Sequence, residues 1–156
     1  MGHYNGATIC LNGHVVSKYS ANSQPFCSHC GKETFSKCLS CGAPIRGTYE
    51  QEGIIDLTGY YNKPYYCYQC GTAYPWTQKL LDNAIELVSL DDDLDDSSRA
   101  LIKDAIPDLI IDTPTTPVAV AKYKKGISKA GQVVKDALYN MLIDVVSETA
   151  KKALLG

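Results

Sequence analysis

CSHCG at residues 27–31, CLSCG at 38–42 and CYQCG at 67–71 repeat one pattern, Cys-x-x-Cys-Gly, and their reading decides the fold. In such a turn, backbone amides point at the two thiolates. The glycine takes a left-handed conformation that a side chain would strain. Three copies in one short region predict tetrahedral zinc knuckles. A disulfide framework would need an even cysteine count and a secreted context, and the chain has seven cysteines. Its N-terminus, MGHYNGATIC, lacks the basic-then-apolar layout of a signal peptide, so a cytoplasmic chain is expected. A thioredoxin-like redox motif would explain one pair but not three.

The six paired cysteines are Cys27, Cys30, Cys38, Cys41, Cys67 and Cys70, and Cys10 is left over. Two closed zinc sites need eight ligands. Cys10 is the seventh, and a histidine is the natural eighth. In CLNGH, His14 follows Cys10 at Cys-x3-His spacing, with Gly13 before it to allow a knuckle-like turn. ATIC, a turn at Leu11-Asn12-Gly13 and then HVVSKY also read as a hairpin with Cys10 and His14 at one end. His3, near the terminus, and His29, inside a knuckle, are the competing ligands. The alternative for Cys10 is a small buried hydrophobe, which leaves one site a ligand short.

Ligands can pair sequentially or in the cross-braced manner of RING domains. Sequential pairing sets Cys10, His14, Cys27 and Cys30 apart from Cys38, Cys41, Cys67 and Cys70. Its loops hold 12 and 25 residues, as in zinc ribbons. Seven residues separate Cys30 from Cys38, whereas RING middle pairs are nearly fused, so the spacing favours sequential ribbons.

The composition changes along the chain. All seven cysteines lie before residue 71, and nine of eleven tyrosines precede Trp76. The expected fold class is a small metal-stapled β region of tandem zinc ribbons, followed by an α-helical C-terminal region. The expected domains are 1–75 and 76–156. Between Cys41 and Cys67, APIRGTY, EGIIDLTGYY and KPYYCY read as strands between Gly and Pro breaks.

The run WTQKLLDNAIELVSL places Trp76, Leu80, Leu81, Ala84, Leu87 and Val88 at helical spacing. The acidic run Asp91–Asp96 ends that helix and favours the start of the next, SSRALIKDAI. It lacks the spacing of a calcium loop. Pro107, Pro114 and Pro117 break up the following stretch, with Thr116 as the expected N-cap before a first-turn proline. From there on, Ile127, Ala130, Val134, Leu138, Met141 and Val145 predict a long amphipathic helix, or a helical hairpin folded at Gly126 or Gly131.

The first 76 residues resemble a bacterial family with an N-terminal double zinc ribbon, a domain of unknown function. CLNGH, FCSHCG, CLSCGAPIRG and YYCYQCG, in that order, carry the resemblance. DTPTTPVAVAKYKK and the closing SETAKKALLG extend it over most of the chain. The resemblance implies a bacterial, intracellular, zinc-bearing protein with no assigned reaction and no catalytic residues to carry over.

A net charge of -2 gives no overall bias toward nucleic acid or anionic membrane. No apolar run nears the roughly 20 residues of a membrane span. Eight ligands for two Zn2+ ions per chain leave no open coordination position, and no nucleophile–base pair or phosphate-binding loop is present. The expected function is therefore a non-enzymatic adaptor, meeting another protein through the ribbon surface or the C-terminal helix. Nucleic-acid binding through the tyrosine-rich ribbons or the lysines at 122, 124, 125, 129 and 135 is the alternative. A RING-like ligase would require cross-braced sites.

Overall fold

The computed structural model describes residues 2–20 and 24–155. The chain forms two compact units, Met1–Lys79 and Leu80–Gly156.

Among the described residues, the first unit carries five short strands in two small sheets. β1 (His3–Gly6) pairs antiparallel with β5 (Arg46–Glu50). The other sheet has the order β3-β2-β4, from β2 (Thr8–Cys10), β3 (Val15–Ser17) and β4 (Thr34–Phe35). The hairpin read from CLNGH is β2 and β3, joined through a turn in which Gly13 takes a φ of 89°. β5 packs closely at Gly47 against β1 and against Lys18, the residue after β3. A Cβ there would stand 2.2 Å from the Lys18 carbonyl oxygen and 2.5 Å from that of Gly6, so only glycine lets the backbones approach.

The core of this unit is small. Ala7, Ile9, Ile45, Tyr74 and Trp76 are buried beside Cys38 and Cys67. Trp76 stacks on Tyr74 and Phe35, with ring centroids 4.8 and 5.6 Å away. Its indole Nε1–H donates to the Pro64 carbonyl at 3.0 Å, and the Thr77 hydroxyl donates to the Tyr65 carbonyl at 2.7 Å. Buried polar groups thereby keep partners in a core with little apolar area.

The stretch expected as strands after Arg46 is extended only through Glu50. EGIIDLTGYY forms no strand. Ile54, Ile55 and Leu57 are 65, 82 and 90% exposed, so their apolar side chains have no partner surface. Gly53 and Gly59 take φ values of 82° and 66°. Asp56 Oδ1 accepts from both the amide and the hydroxyl of Thr58, which turns the chain locally.

The second unit is helical. α1 (Pro75–Ser89) starts in the first unit and runs into the second. There its Ala84 and Val88 join the core, with Leu81 and Leu87 packed beside them. α2 (Asp96–Leu109) is capped by Asp95, whose carboxylate accepts from the Ser98 amide at 2.6 Å. Pro107 lies within α2 rather than ending it. Near the C-terminal end, proline forfeits a single intrahelical bond.

α3 (Thr116–Ile127) has Thr115 at its N-cap position, one residue before the expected cap and without a side-chain capping bond. Thr116 is buried instead, and its Oγ1 accepts from the Thr113 amide at 3.0 Å. From here to the C-terminus the chain forms three helices, α3, α4 (Gln132–Leu142) and α5 (Glu148–Leu155), with a break at one of the two glycines where a fold was expected. One break falls at Gly131, whose amide donates to the buried Asp91 carboxylate at 2.8 Å. The other precedes Ser147, whose amide donates to the Leu109 carbonyl at 2.8 Å. In both places a tertiary bond replaces helix propagation. α2 and α3 pack closely at Gly126, where a Cβ would stand 3.0 Å from the Ser98 carbonyl oxygen.

Candidate metal centres

The three Cys-x-x-Cys-Gly turns share one backbone geometry. The first cysteine's carbonyl accepts from the glycine amide in each: Gly31 to Cys27 at 2.8 Å, Gly42 to Cys38 and Gly71 to Cys67 at 2.9 Å. The first cysteine's amide then donates to the carbonyl one residue past the glycine, at Lys32, Ala43 and Thr72. Gly31, Gly42 and Gly71 take φ values of 76°, 78° and 75°. An isolated antiparallel bridge closes behind each turn, Phe26 to Glu33, Lys37 to Pro44 and Tyr66 to Ala73. Backbone amides reach back to sulfur, as from His29 to Cys27 Sγ and from Gln69 to Cys67 Sγ, both at 3.4 Å.

CLNGH makes a tighter version of the same turn. The Gly13 amide donates to the Cys10 carbonyl at 2.9 Å, and the Cys10 amide to the His14 carbonyl at 3.0 Å. The His14 amide lies 3.3 Å from Cys10 Sγ. Histidine, one residue past the glycine rather than one before it, supplies the donor atom that the second cysteine supplies in the knuckles.

The turns bring eight donors into two groups, Cys10, His14, Cys27 and Cys30, and Cys38, Cys41, Cys67 and Cys70. Within each group the donor atoms all lie within 4.8 Å of one another. The edges fit a tetrahedron around a metal. Metal–sulfur bonds of about 2.3 Å and a metal–nitrogen bond of about 2.0 Å imply sulfur–sulfur edges of about 3.8 Å and a sulfur–nitrogen edge of about 3.5 Å. The Sγ atoms of Cys10 and Cys30 are 3.7 Å apart, those of Cys38 and Cys70 3.7 Å, and those of Cys41 and Cys67 3.6 Å. His14 Nδ1 lies 3.5 Å from Cys10 Sγ and 3.8 Å from Cys27 Sγ. These spacings are far beyond the roughly 2.05 Å of a disulfide, and all seven cysteines are free.

The thiols of each group are unequal. Cys30 is lowered to about 6, chiefly by the Lys32 amide. Cys67 is lowered to about 6 by the Cys70 amide first. Burial pushes Cys10 up. The Ala43 amide draws Cys41 down, but burial and its three cysteine neighbours outweigh it and push the thiol up to about 12. Crowded thiolates repel one another, and a shared cation lets all of them ionise together.

Both competing histidines lie outside these groups. His3 sits in β1 with its Nε2 3.8 Å from Glu50. His29 is exposed, and its ring meets that of His14 edge-on at 4.4 Å. The grouping is sequential, so the cross-bracing that a RING-like ligase requires is not present.

Sequence reasoning missed the groups that support the first tetrad. Asn12 Nδ2 donates to Cys30 Sγ at 3.4 Å, while its Oδ1 accepts from Lys79 at 2.7 Å. Lys63 donates to the Gly13 carbonyl at 2.7 Å, and burial lowers its pKa. Asn12 lies within the CLNGH motif, but nothing in the sequence points from Lys63 to Gly13, 50 residues away.

Fold and sites define a small β module stapled by two four-donor metal-binding groups, followed by a helical region. Within that class, the chain belongs to the bacterial family described as "Uncharacterized protein conserved in bacteria (DUF2321)", which matches residues 3–154. No curated protein and no solved structure matches it.

Proposed function

We propose that this chain is a non-enzymatic interaction protein of the bacterial cytoplasm whose ribbon unit is built around two structural zinc ions. The observation that carries the reading is the closure of both donor groups. Three thiolates and an imidazole, or four thiolates, fill a tetrahedral zinc and leave no position for substrate or water. Zinc suits this donor set better than hard cations, which take oxygen ligands. A reducing compartment suits seven free cysteines. Among the described residues, no helix is long and apolar enough to cross a membrane.

The adaptor role is supported by the ribbon surface. Tyr4, Tyr19, Phe26, Leu39, Tyr49 and Tyr60 are each at least half exposed there. Such rings and aliphatics serve partner recognition when they are not needed in a core.

A second reading, nucleic-acid binding, has one favouring observation. The Arg46 guanidinium lies over the rings of both Tyr4 and Tyr68, 4.3 and 3.9 Å from their centroids, a platform on which bases could stack. Glu50, in the same strand as Arg46, weighs against it.

The test is native mass spectrometry of the chain purified gently from a bacterial host. Two zinc ions and a stoichiometric protein partner support the reading. A single zinc, or a redox metal in either site, reopens the enzyme alternative. A co-purifying nucleic acid favours the second reading.

A further inference from the structure

The ribbon unit carries a groove of about 610 Å³ beside β5 and the loop after it. We propose that this groove docks a segment of a partner protein that carries lysine or arginine side chains between apolar anchors. The proposal rests on the interaction-protein reading and names the chemistry of the partner.

Two features of the groove point to that occupant. Its apolar lining is unpartnered: Tyr19, Tyr49, Ile54 and Ile55 are 58, 54, 65 and 82% exposed. Adjacent aliphatics this exposed mark interaction sites on folded proteins. Its charge is of one sign, because Glu50, Glu52 and Asp56 line it and no lysine or arginine does. His3 lies 3.8 Å from Glu50. Lys18, beside the groove, donates to the Gly59 carbonyl, lies 5.4 Å from the centre of the Tyr19 ring and acts on Asp56, so one cation faces three carboxylates. Three carboxylates repel a phosphate backbone and attract a basic peptide. The groove has room for several residues of an extended chain, more than a single side chain fills.

The test uses the zinc-loaded full chain and a fluorescein-labelled peptide of alternating lysine and leucine, read by fluorescence polarisation. An alternating glutamate–leucine peptide and a labelled oligothymidine serve as comparisons. The wild type is expected to bind the basic peptide in preference to both. The variant E50Q/E52Q/D56N should bind it about tenfold more weakly, as three lost charge pairs imply. The variant D92N/D112N/D144N makes the same charge change in the helical unit and should bind as the wild type does. I54S/I55S should also weaken binding while leaving zinc content unchanged.

Equal weakening by both charge variants would reduce the effect to net charge and overturn the proposal. So would equal binding of the acidic peptide or the oligothymidine. A protein that co-purifies with wild type and E50Q/E52Q/D56N alike would overturn the groove but leave the interaction-protein reading standing.

Discussion

Stripping zinc from the folded chain should unfold the ribbon unit and spare the helical one. The magnitude follows from what each unit buries. In the ribbon unit, the large buried apolar side chains are Ile9, Ile45, Tyr74 and Trp76. Burying one such side chain is worth about 1.5–3 kcal/mol, against a backbone that costs about 1–2 kcal/mol per residue to order. A structural zinc contributes on the order of 10–16 kcal/mol, as much as the whole net stability of a typical domain, about 5–15 kcal/mol. Loss of either ion therefore exceeds any stability the unit has to spare. The helical unit has its own core, with Ile102, Ile106, Leu109 and Leu138 fully buried, and needs no metal. The chain has one tryptophan, Trp76, so its emission reports the ribbon unit. The far-ultraviolet helix band reports mainly the other. Titration with a strong zinc chelator should shift Trp76 emission to the red while most of the helix band persists. Unchanged emission after confirmed zinc removal, or collapse of both signals together, would refute the argument.

Single ligand changes should act site by site. Cys10→Ser or His14→Ala should loosen the first site, and Cys38→Ser or Cys67→Ser should unfold the second ribbon, as read by zinc content and Trp76 emission. A His14→Ala chain with full zinc and an unchanged melting curve would remove His14 from the ligand set. Ile106→Ala should cost the helical unit about 2–5 kcal/mol in urea unfolding, with two zinc ions retained. Asp95 has its carboxyl held below the ordinary 3.8, first by the Ser98 amide and with help from Lys129. Its contribution is thus present above about pH 4 and lost as acid takes the carboxylate through its lowered pKa. Circular dichroism under mild denaturant should show Asp95→Ala flattening the fall in helical stability on acidification.

The sites were the most legible part of the sequence because their chemistry is local. Cys-x-x-Cys-Gly fixes a five-residue turn by itself, and each of the three turns has the left-handed glycine its pattern implies. Counting ligands then drew attention to Cys10 and His14, whose spacing encodes a tighter turn of the same kind. What depended on tertiary context was less legible. Ile54, Ile55 and Leu57 have strand propensity, but propensity makes a strand only where a partner edge is offered, and none is. His3 was read as a competing ligand near the terminus, yet HYNG forms β1 because β5 supplies the matching edge, with His3 opposite Glu50. In the C-terminal region the sequence offered a break at Gly126 or Gly131, and the chain breaks at Gly131. The break there is set by the Asp91 carboxylate, 40 residues away in sequence.

The central claim is that two closed zinc sites share seven sulfurs and one imidazole nitrogen. Zinc K-edge X-ray absorption on the purified chain tests it most directly. The account requires a sulfur shell at about 2.3 Å averaging between three and four atoms per zinc, with a small imidazole contribution at about 2.0 Å. A water-like oxygen shell in place of sulfur, or a donor count that leaves one zinc three-coordinate by protein, would mean a site is open and the structural reading is wrong.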